Sequence, residues 1–267
     1  MIPFVQYSRS IVQSFDTAWR KEDLKLFKKR KIMAQRFGDI KERVALGVRI
    51  LAHQGVFPLA LGHVSERVPG EDLVCILSGE VHDRGGTLDR IDAAGIVVID
   101  FDGKLVEGEL APPGECFIHT EIYRSRPEVR SVVHAHPPTA VALSAAGQEV
   151  LPITAASTLF APRVTIFPNH GQIDDARIGA EVAAALGQSC ALVLRGHGSV
   201  TVGASVEEAC IRTLTLEETA RQQWIASSFG TPQPLPTNEA AESRRSPWNT
   251  PHFYRAAWSY YSARLPK

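Results

Sequence analysis

An excess of charge of either sign is missing from this chain: 29 Lys and Arg residues balance 29 Asp and Glu residues over 267. A neutral chain has no broad field to draw nucleic acid or an anionic membrane toward it, so neither partner is expected. The one basic run, Lys28-Lys29-Arg30-Lys31, reads as a solvated helix face. Cysteine is also scarce. Cys75, Cys116, Cys190 and Cys210 form no C-x-x-C pair, and three of them stand among apolar residues. That pattern argues against a disulfide framework and for reduced thiols in a cytoplasmic protein. No run of eighteen apolar residues occurs, so no membrane span is expected. The first twenty residues, broken by Gln6, Arg9, Gln13 and Asp16, lack a signal-peptide core. No internal repeat is visible. What remains is an ordinary globular composition, 44% hydrophobic and 22% charged, long enough for a substantial core.

Periodicity divides the chain into a charged helical lead-in over 1–37, a main domain over 38–230 and a tail over 231–267. Asp39 with Glu42 makes a capping box, after which Ile40, Val44, Val48 and Leu51 recur at helical spacing and Gly55 stops the run. Strands are predicted around 61–67, 73–78 and 95–101, with Asp102-Gly103 as a hairpin turn. A helix over 114–126 leads to the strand Val132-Val133-His134-Ala135-His136, which Pro137-Pro138 end. A short helix from Thr139 to Ala146, a strand near 163–167 and a helix near 175–187 follow. Then come strands at 191–194 and 199–202, and a long helix over 205–228. Thr231 to Pro236 is a linker, and the tail carries Trp248, Phe253, Tyr254, Trp258, Tyr260 and Tyr261. The mixture implies an α/β layered domain around a central, mainly antiparallel sheet.

His134-Ala135-His136 is the most informative motif. Strand side chains alternate faces, so both imidazoles project from one face at a strand's end. Nine histidines make such a pair nearly available by chance, so context decides. Arg195-Gly196-His197-Gly198 follows a second apolar strand, and its glycines permit close backbone approach. Three neutral imidazoles with an open position are the ligand count of a catalytic divalent ion. Glu115 follows Pro112-Pro113-Gly114 at a helix start, where the helix field favours the ionised carboxylate that proton transfer needs.

Together these stretches resemble a known family. Glu115-Cys-Phe-Ile-His119 through His134-Ala-His136 is similar to the central motif of the class II aldolase/adducin family. Arg195-Gly-His197-Gly-Ser-Val-Thr-Val-Gly203 is similar to its second motif, and Gly62-His63-Val64-Ser65-Glu66-Arg67 resembles the upstream glycine loop. The resemblance implies a three-layer αβα fold with a nine-stranded type of sheet, and a homotetramer with sites between subunits. It also implies a divalent metal held by His134, His136 and His197, with Glu115 as acid/base. Zinc is the first expectation, with manganese, cobalt and iron as alternatives. A C-terminal tyrosine, Tyr260 or equally Tyr254 or Tyr261, is a candidate for reaching a neighbour's site.

The departures narrow the substrate. Sugar-phosphate members are similar to Gly-Asn-Val/Ile-Ser in the first motif and Ser-Ser-Glu before the acid/base. Here His63 replaces the Asn, and Pro113-Gly114 replace the serines, with a backbone donor lost at proline. A substrate without phosphate is expected. The form of the motifs is similar to the branch that includes dihydroxyphthalate decarboxylases. His63 is therefore a catalytic or anion-binding candidate, and Ser65, Ser78 and Arg84, with Arg67 and His82 nearby, are candidates to hold a small acidic substrate. The expected activity is a metal-dependent carbon–carbon lyase, first a decarboxylase of a hydroxylated aromatic or hydroxy acid. The alternatives are an aldolase cleaving a hydroxy-ketone, an Fe(II)-dependent oxidative decarboxylase, and a non-catalytic adducin-like module.

Overall fold

In a computed structural model of the protein the described residues are 21–81, 87–169, 171–235 and 247–266, with side chains from Phe37 onward except at Pro247. The chain divides into two units at Gly38/Asp39. The helix start expected at Asp39 is not observed: one helix, α1, runs Lys21–His53 through Asp39 and Glu42. Residues 21–37 are rich in Lys, Glu, Leu, Arg and Gln and hold neither proline nor glycine, so nothing stops the helix upstream. A capping residue caps only where the preceding backbone is not already helical. Ile40, Val44, Val48 and Leu51 are all buried. Each such side chain contributes roughly 1.5–3 kcal/mol. Gly55 ends the helix at φ +75°, and the amides of Gly55 and Val56 turn back to the carbonyls of Ala52 and Leu51 at 3.0 and 3.2 Å.

Eight strands among the described residues form one sheet: β1 Gly62–Arg67, β2 Leu73–Leu77, β3 Ile96–Asp100, β4 Leu105–Glu107, β5 Ser131–Ala135, β6 Ile166–Phe167, β7 Ala191–Leu194 and β8 Gly198–Gly203. Their order is β4-β3-β2-β1-β5-β8-β7-β6. Every neighbouring pair is antiparallel except β6 and β7. The mainly antiparallel sheet agrees with expectation, with eight described strands against nine. The strand expected over 163–167 keeps two residues, because Val164 instead bridges to Val150.

The remaining helices are α2 Cys116–Ser125, α3 Pro138–Ala145, α4 Ala176–Leu186, α5 Val206–Ser227 and α6 Pro251–Ser262. Strand alternation sorts them into layers. On β1, Ser65 bonds to His119 and Tyr123 of α2. Its neighbour Val64 points the other way, toward the Gly47 stretch of α1 and the Val206 and Cys210 side chains of α5. A Cβ at Gly47 would stand 3.0 Å from both α5 side chains, so this layer is packed to glycine's dimensions. With α4 packed on α2 and α3 on α5, the sheet is covered on both faces, and the fold is a three-layer αβα sandwich. All four cysteines are free. No helix among the described residues is long and apolar enough to cross a membrane.

Candidate metal centre

β5 lies at the middle of the sheet with every residue buried, and His134 faces His63 on β1 and Val200 on β8. β5 ends at Ala135, one residue before the expected end, and His136 follows it with its amide donating to the Val56 carbonyl at 3.1 Å ahead of Pro137 and Pro138. Glu217 of α5 then accepts from the amides of Thr139 and Ala140, at 2.9–3.1 Å, and clamps the start of α3. At the other end of α3, Ser144 Oγ accepts from the amide of Gly196 at 3.0 Å. This tethers the β7–β8 turn, in which Gly196 takes φ +63° and His197 donates its amide to Leu194 at 3.1 Å. One short helix thus fixes both halves of the histidine constellation.

The ring nitrogens of His134, His136 and His197 lie within 4.8 Å of one another. His134 is fully buried, and its Nδ1 stands 3.1 Å from the Ser199 carbonyl. A carbonyl only accepts, so Nδ1 carries the proton and Nε2 keeps its lone pair, the arrangement that orients a ligating imidazole. Nε2 of His136 is 3.1 Å from Nε2 of His134. Two nitrogens each about 2.0–2.1 Å from one ion, at bond angles between octahedral and tetrahedral, stand about 2.8–3.4 Å apart, so this pair fits a divalent ion. Gly198 makes the approach possible. A Cβ there would lie 2.6 Å from His136 Cδ2, 2.7 Å from the Ala135 carbonyl and 2.9 Å from His134 Cε1. Gly198→Ala is therefore expected to weaken metal affinity by about 10- to 100-fold, read by competition with a chelating dye.

Glu115 completes the cluster. It occupies the N-cap of α2 but caps nothing. Its carboxylate accepts from the Ile173 amide at 3.0 Å and stands 3.4 Å from His134 Nε2 and 3.5 Å from His197 Nε2. Burial pushes this carboxyl up, but the adjoining His134 and His197 rings and the Ile173 amide outweigh it and hold the group well below the usual carboxylate range. A cavity of about 450 Å³ opens here. Glu115, His136, His197 and Gln172 supply its polar lining, and Pro58, Leu59, Leu61, Pro138 and Val141 an apolar wall. Leu59 and Ala60 in that wall hold positive φ, 54° and 61°, and Leu59 is 90% exposed.

Beside the cluster runs a buried polar chain. The His63 ring lies 5.3 Å from that of His134. His63 Nδ1 is 3.3 Å from His119 Nε2, His119 Nδ1 is 2.7 Å from Ser65 Oγ, and Ser65 Oγ is 2.7 Å from the Tyr123 hydroxyl. Burial, then the neighbouring His134, lowers His63 to about 3. Burial, then His134, also lowers His136 to about 3. Burial, then the neighbouring His63 and His134, drives His119 well below its ordinary value of 6.5, and no carboxylate bonds to it. An unfolded chain takes up a proton at His119 below that value and the folded one does not, so stability is full above about pH 6.5 and falls as pH drops. Urea denaturation between pH 7 and 5 is expected to show a loss of up to about 1.4 kcal/mol per pH unit from this residue, which His119→Gln removes.

Of the substrate contacts expected from sequence, Ser65 is fully buried and bonded within this chain, so it holds His119 and faces no opening. Ser78 is also buried. Its hydroxyl donates to the Ala111 carbonyl at 2.7 Å and accepts from the Glu80 amide at 3.0 Å, strapping the segment that leads to Glu115. A small hydroxyl on or after a strand serves a neighbouring side chain or backbone group as readily as a ligand, and both serines do so here. Arg84 and His82 lie outside the described residues. Tyr260 is exposed on α6, with the Arg264 guanidinium over its ring and Tyr261 edge-on to it, and does not line the cavity of its own chain. Sequence reasoning missed His119, Tyr123, Gln172 and Glu217. For the first two a signal existed: Glu115, His119 and Tyr123 recur every four residues, a polar stripe along the side of α2 that meets the sheet.

Fold and cluster together define a class, the αβα proteins that gather histidines and a carboxylate at the central strands of an antiparallel sheet for a divalent ion. The sequence matches the Class II Aldolase and Adducin N-terminal domain over residues 42–224. It is 33% identical over 238 residues to the 3,4-dihydroxyphthalate decarboxylase of Arthrobacter keyseri, covering 84% of this chain and 93% of that protein. It is 36% identical over 211 residues to the enzyme of the same name from a Terrabacter species, covering 75% and 87%. Among solved structures, L-fuculose 1-phosphate aldolase from Glaciozyma antarctica superposes with a TM-score of 0.73 at 22% identity, over 88% of this chain and 90% of that one, a likeness of fold. The chain belongs to the class II aldolase and adducin family.

Proposed function

We propose that the protein is a divalent-metal-dependent lyase that decarboxylates a hydroxylated aromatic acid carrying no phosphate. The observation that carries this reading is the His134–His136–His197 cluster with Glu115, set in a cavity whose other wall is Pro58, Leu59, Leu61, Pro138 and Val141. Imidazoles and a carboxylate suit the carboxylate and hydroxyl groups of such a substrate, and the apolar wall suits its ring. The dihydroxyphthalate decarboxylases to which the chain is similar support the same substrate class.

In this reading His134, His136 and His197 hold the ion, which supplies a Lewis acid for the negative charge that decarboxylation develops. Glu115, ionised by its surroundings, takes the proton of a substrate hydroxyl. It then delivers that proton to the ring carbon bearing the carboxylate. The new C–H bond replaces the C–CO2 bond, whose electron pair returns to the ring and its oxygen. CO2 leaves, the Glu115 carboxylate is restored, and a proton from water neutralises the phenolate. The Ile173 amide keeps the Glu115 carboxylate in place throughout.

Three finer readings belong to the same proposal. Zinc suits three imidazole nitrogens with an open position. Four free thiols suit a reducing cytoplasm. A homotetramer with sites between subunits would cover Leu59 at the cavity mouth. The test is metal analysis of anaerobically purified protein, then CO2 release from a panel of dihydroxylated aromatic acids. Release is expected to vanish with chelator, return with added ion, and consume no oxygen. Cleavage of a phosphorylated hydroxy-ketone with no CO2 from any acid would replace this reading with an aldolase. Oxygen uptake matching CO2 would replace it with an oxidative decarboxylase.

A further inference from the structure

We infer that Ser65, acting through His119, holds His63 in the tautomer that carries its proton on Nε2. His63 is thereby a hydrogen-bond donor to an anionic substrate oxygen and not a base; this role rests on the reading of the cavity as a site for an acidic substrate.

The assignment follows from counting protons along the chain. A neutral imidazole has one donor and one acceptor nitrogen, and each hydroxyl has one proton to give. Three short contacts link the groups: Tyr123 Oη to Ser65 Oγ at 2.7 Å, Ser65 Oγ to His119 Nδ1 at 2.7 Å, and His119 Nε2 to His63 Nδ1 at 3.3 Å. Run toward His63, all three protons find acceptors at these distances. Tyr123 donates to Ser65, Ser65 donates to His119, His119 donates to His63, and the His63 proton is left on Nε2. Run the other way, the last proton sits on Tyr123 with only the Arg130 carbonyl, 3.5 Å off, to receive it. A mixed arrangement leaves the Ser65 proton to the Val132 carbonyl, also at 3.5 Å. Both are too long for a good hydrogen bond. Tyr123, Ser65 and His119 are fully buried, so no water relieves an unspent donor. His63 is the cross-strand partner of His134, so the proton fixed by this chain is presented beside the metal cluster. Ser65 is thus a positioning residue for a site it does not touch.

The tautomer is readable directly. Long-range ¹H–¹⁵N correlation spectra of the full chain loaded with a diamagnetic divalent ion distinguish Nδ1–H from Nε2–H, with His63 assigned by its loss in His63→Gln. Wild type is expected to show Nε2–H. Ser65→Ala, which removes the hydroxyl that donates to His119 Nδ1, is expected to populate the Nδ1–H form, whereas Tyr123→Phe leaves Ser65 donating to His119 at 2.7 Å and is expected to keep Nε2–H. In Ser65→Ala KM should rise by about 10- to 100-fold, the loss of one hydrogen bond to a charged group, with metal content intact and kcat within about twofold. Nδ1–H in wild type, or a wild-type tautomer and KM in Ser65→Ala, overturns the inference. A wild-type protein that shows Nε2–H but releases no CO2 removes the decarboxylase reading and leaves the tautomer assignment standing.

Discussion

His197→Ala is expected to leave the purified protein without stoichiometric divalent metal and to lower CO2 release by at least about three orders of magnitude. The position is chosen because the fold does not lean on it. His197 sits in the three-residue turn between β7 and β8, partly exposed, and the turn is held by backbone bonds and by Ser144 to the Gly196 amide. Its loss should therefore leave the melting temperature of the metal-free protein within a few degrees of wild type. His134→Ala makes the contrast. That ring is fully buried on the central strand and serves the Ser199 carbonyl, so its removal opens a cavity and strands an acceptor. A cost on the order of 2–4 kcal/mol is expected on top of metal loss. Full metal retention in His197→Ala would sink the three-histidine ligand set. Metal loss with a large fall in melting temperature in both variants would show that the turn is structural.

Much of this site was legible because its elements obey short-range rules. The apolar runs 132–135 and 191–194 read as strands and are strands, and period-two alternation placed His134 and His136 on one face. Gly196 and Gly198 marked a close approach, and the approach is to the two histidines themselves. The substrate shell was not legible. Whether Ser65 or Ser78 meets a ligand or a backbone carbonyl depends on what the next layer of structure offers, and α2 and the 111–113 segment arrive from 30 to 60 residues away in sequence. The Asp39 helix start failed for a related reason. A local cap signal was outweighed by strong helix formers on its N-terminal side. The polar stripe of Glu115, His119 and Tyr123 was present in the sequence, but a helix over 114–126 does not by itself say which of its sides meets the sheet.

Glu115→Gln is expected to keep the metal and lower kcat by about 10²- to 10⁴-fold, the range general acid–base catalysis supplies. The substitution is nearly isosteric, and the Gln side-chain oxygen can still accept the Ile173 amide that now bonds to Glu115 Oε1 at 3.0 Å. The amide group cannot take a proton from a substrate hydroxyl or return one to a ring carbon. KM should change little, because the cavity's apolar wall and His63 remain. Glu115→Asp separates charge from reach: it restores the carboxylate but withdraws it by one methylene from the Ile173 amide, 58 residues along the chain. Partial activity in Asp with almost none in Gln assigns Glu115 the proton transfer. Loss of metal in Gln would instead make the carboxylate a fourth ligand, and unchanged kcat in both variants would take it out of the reaction.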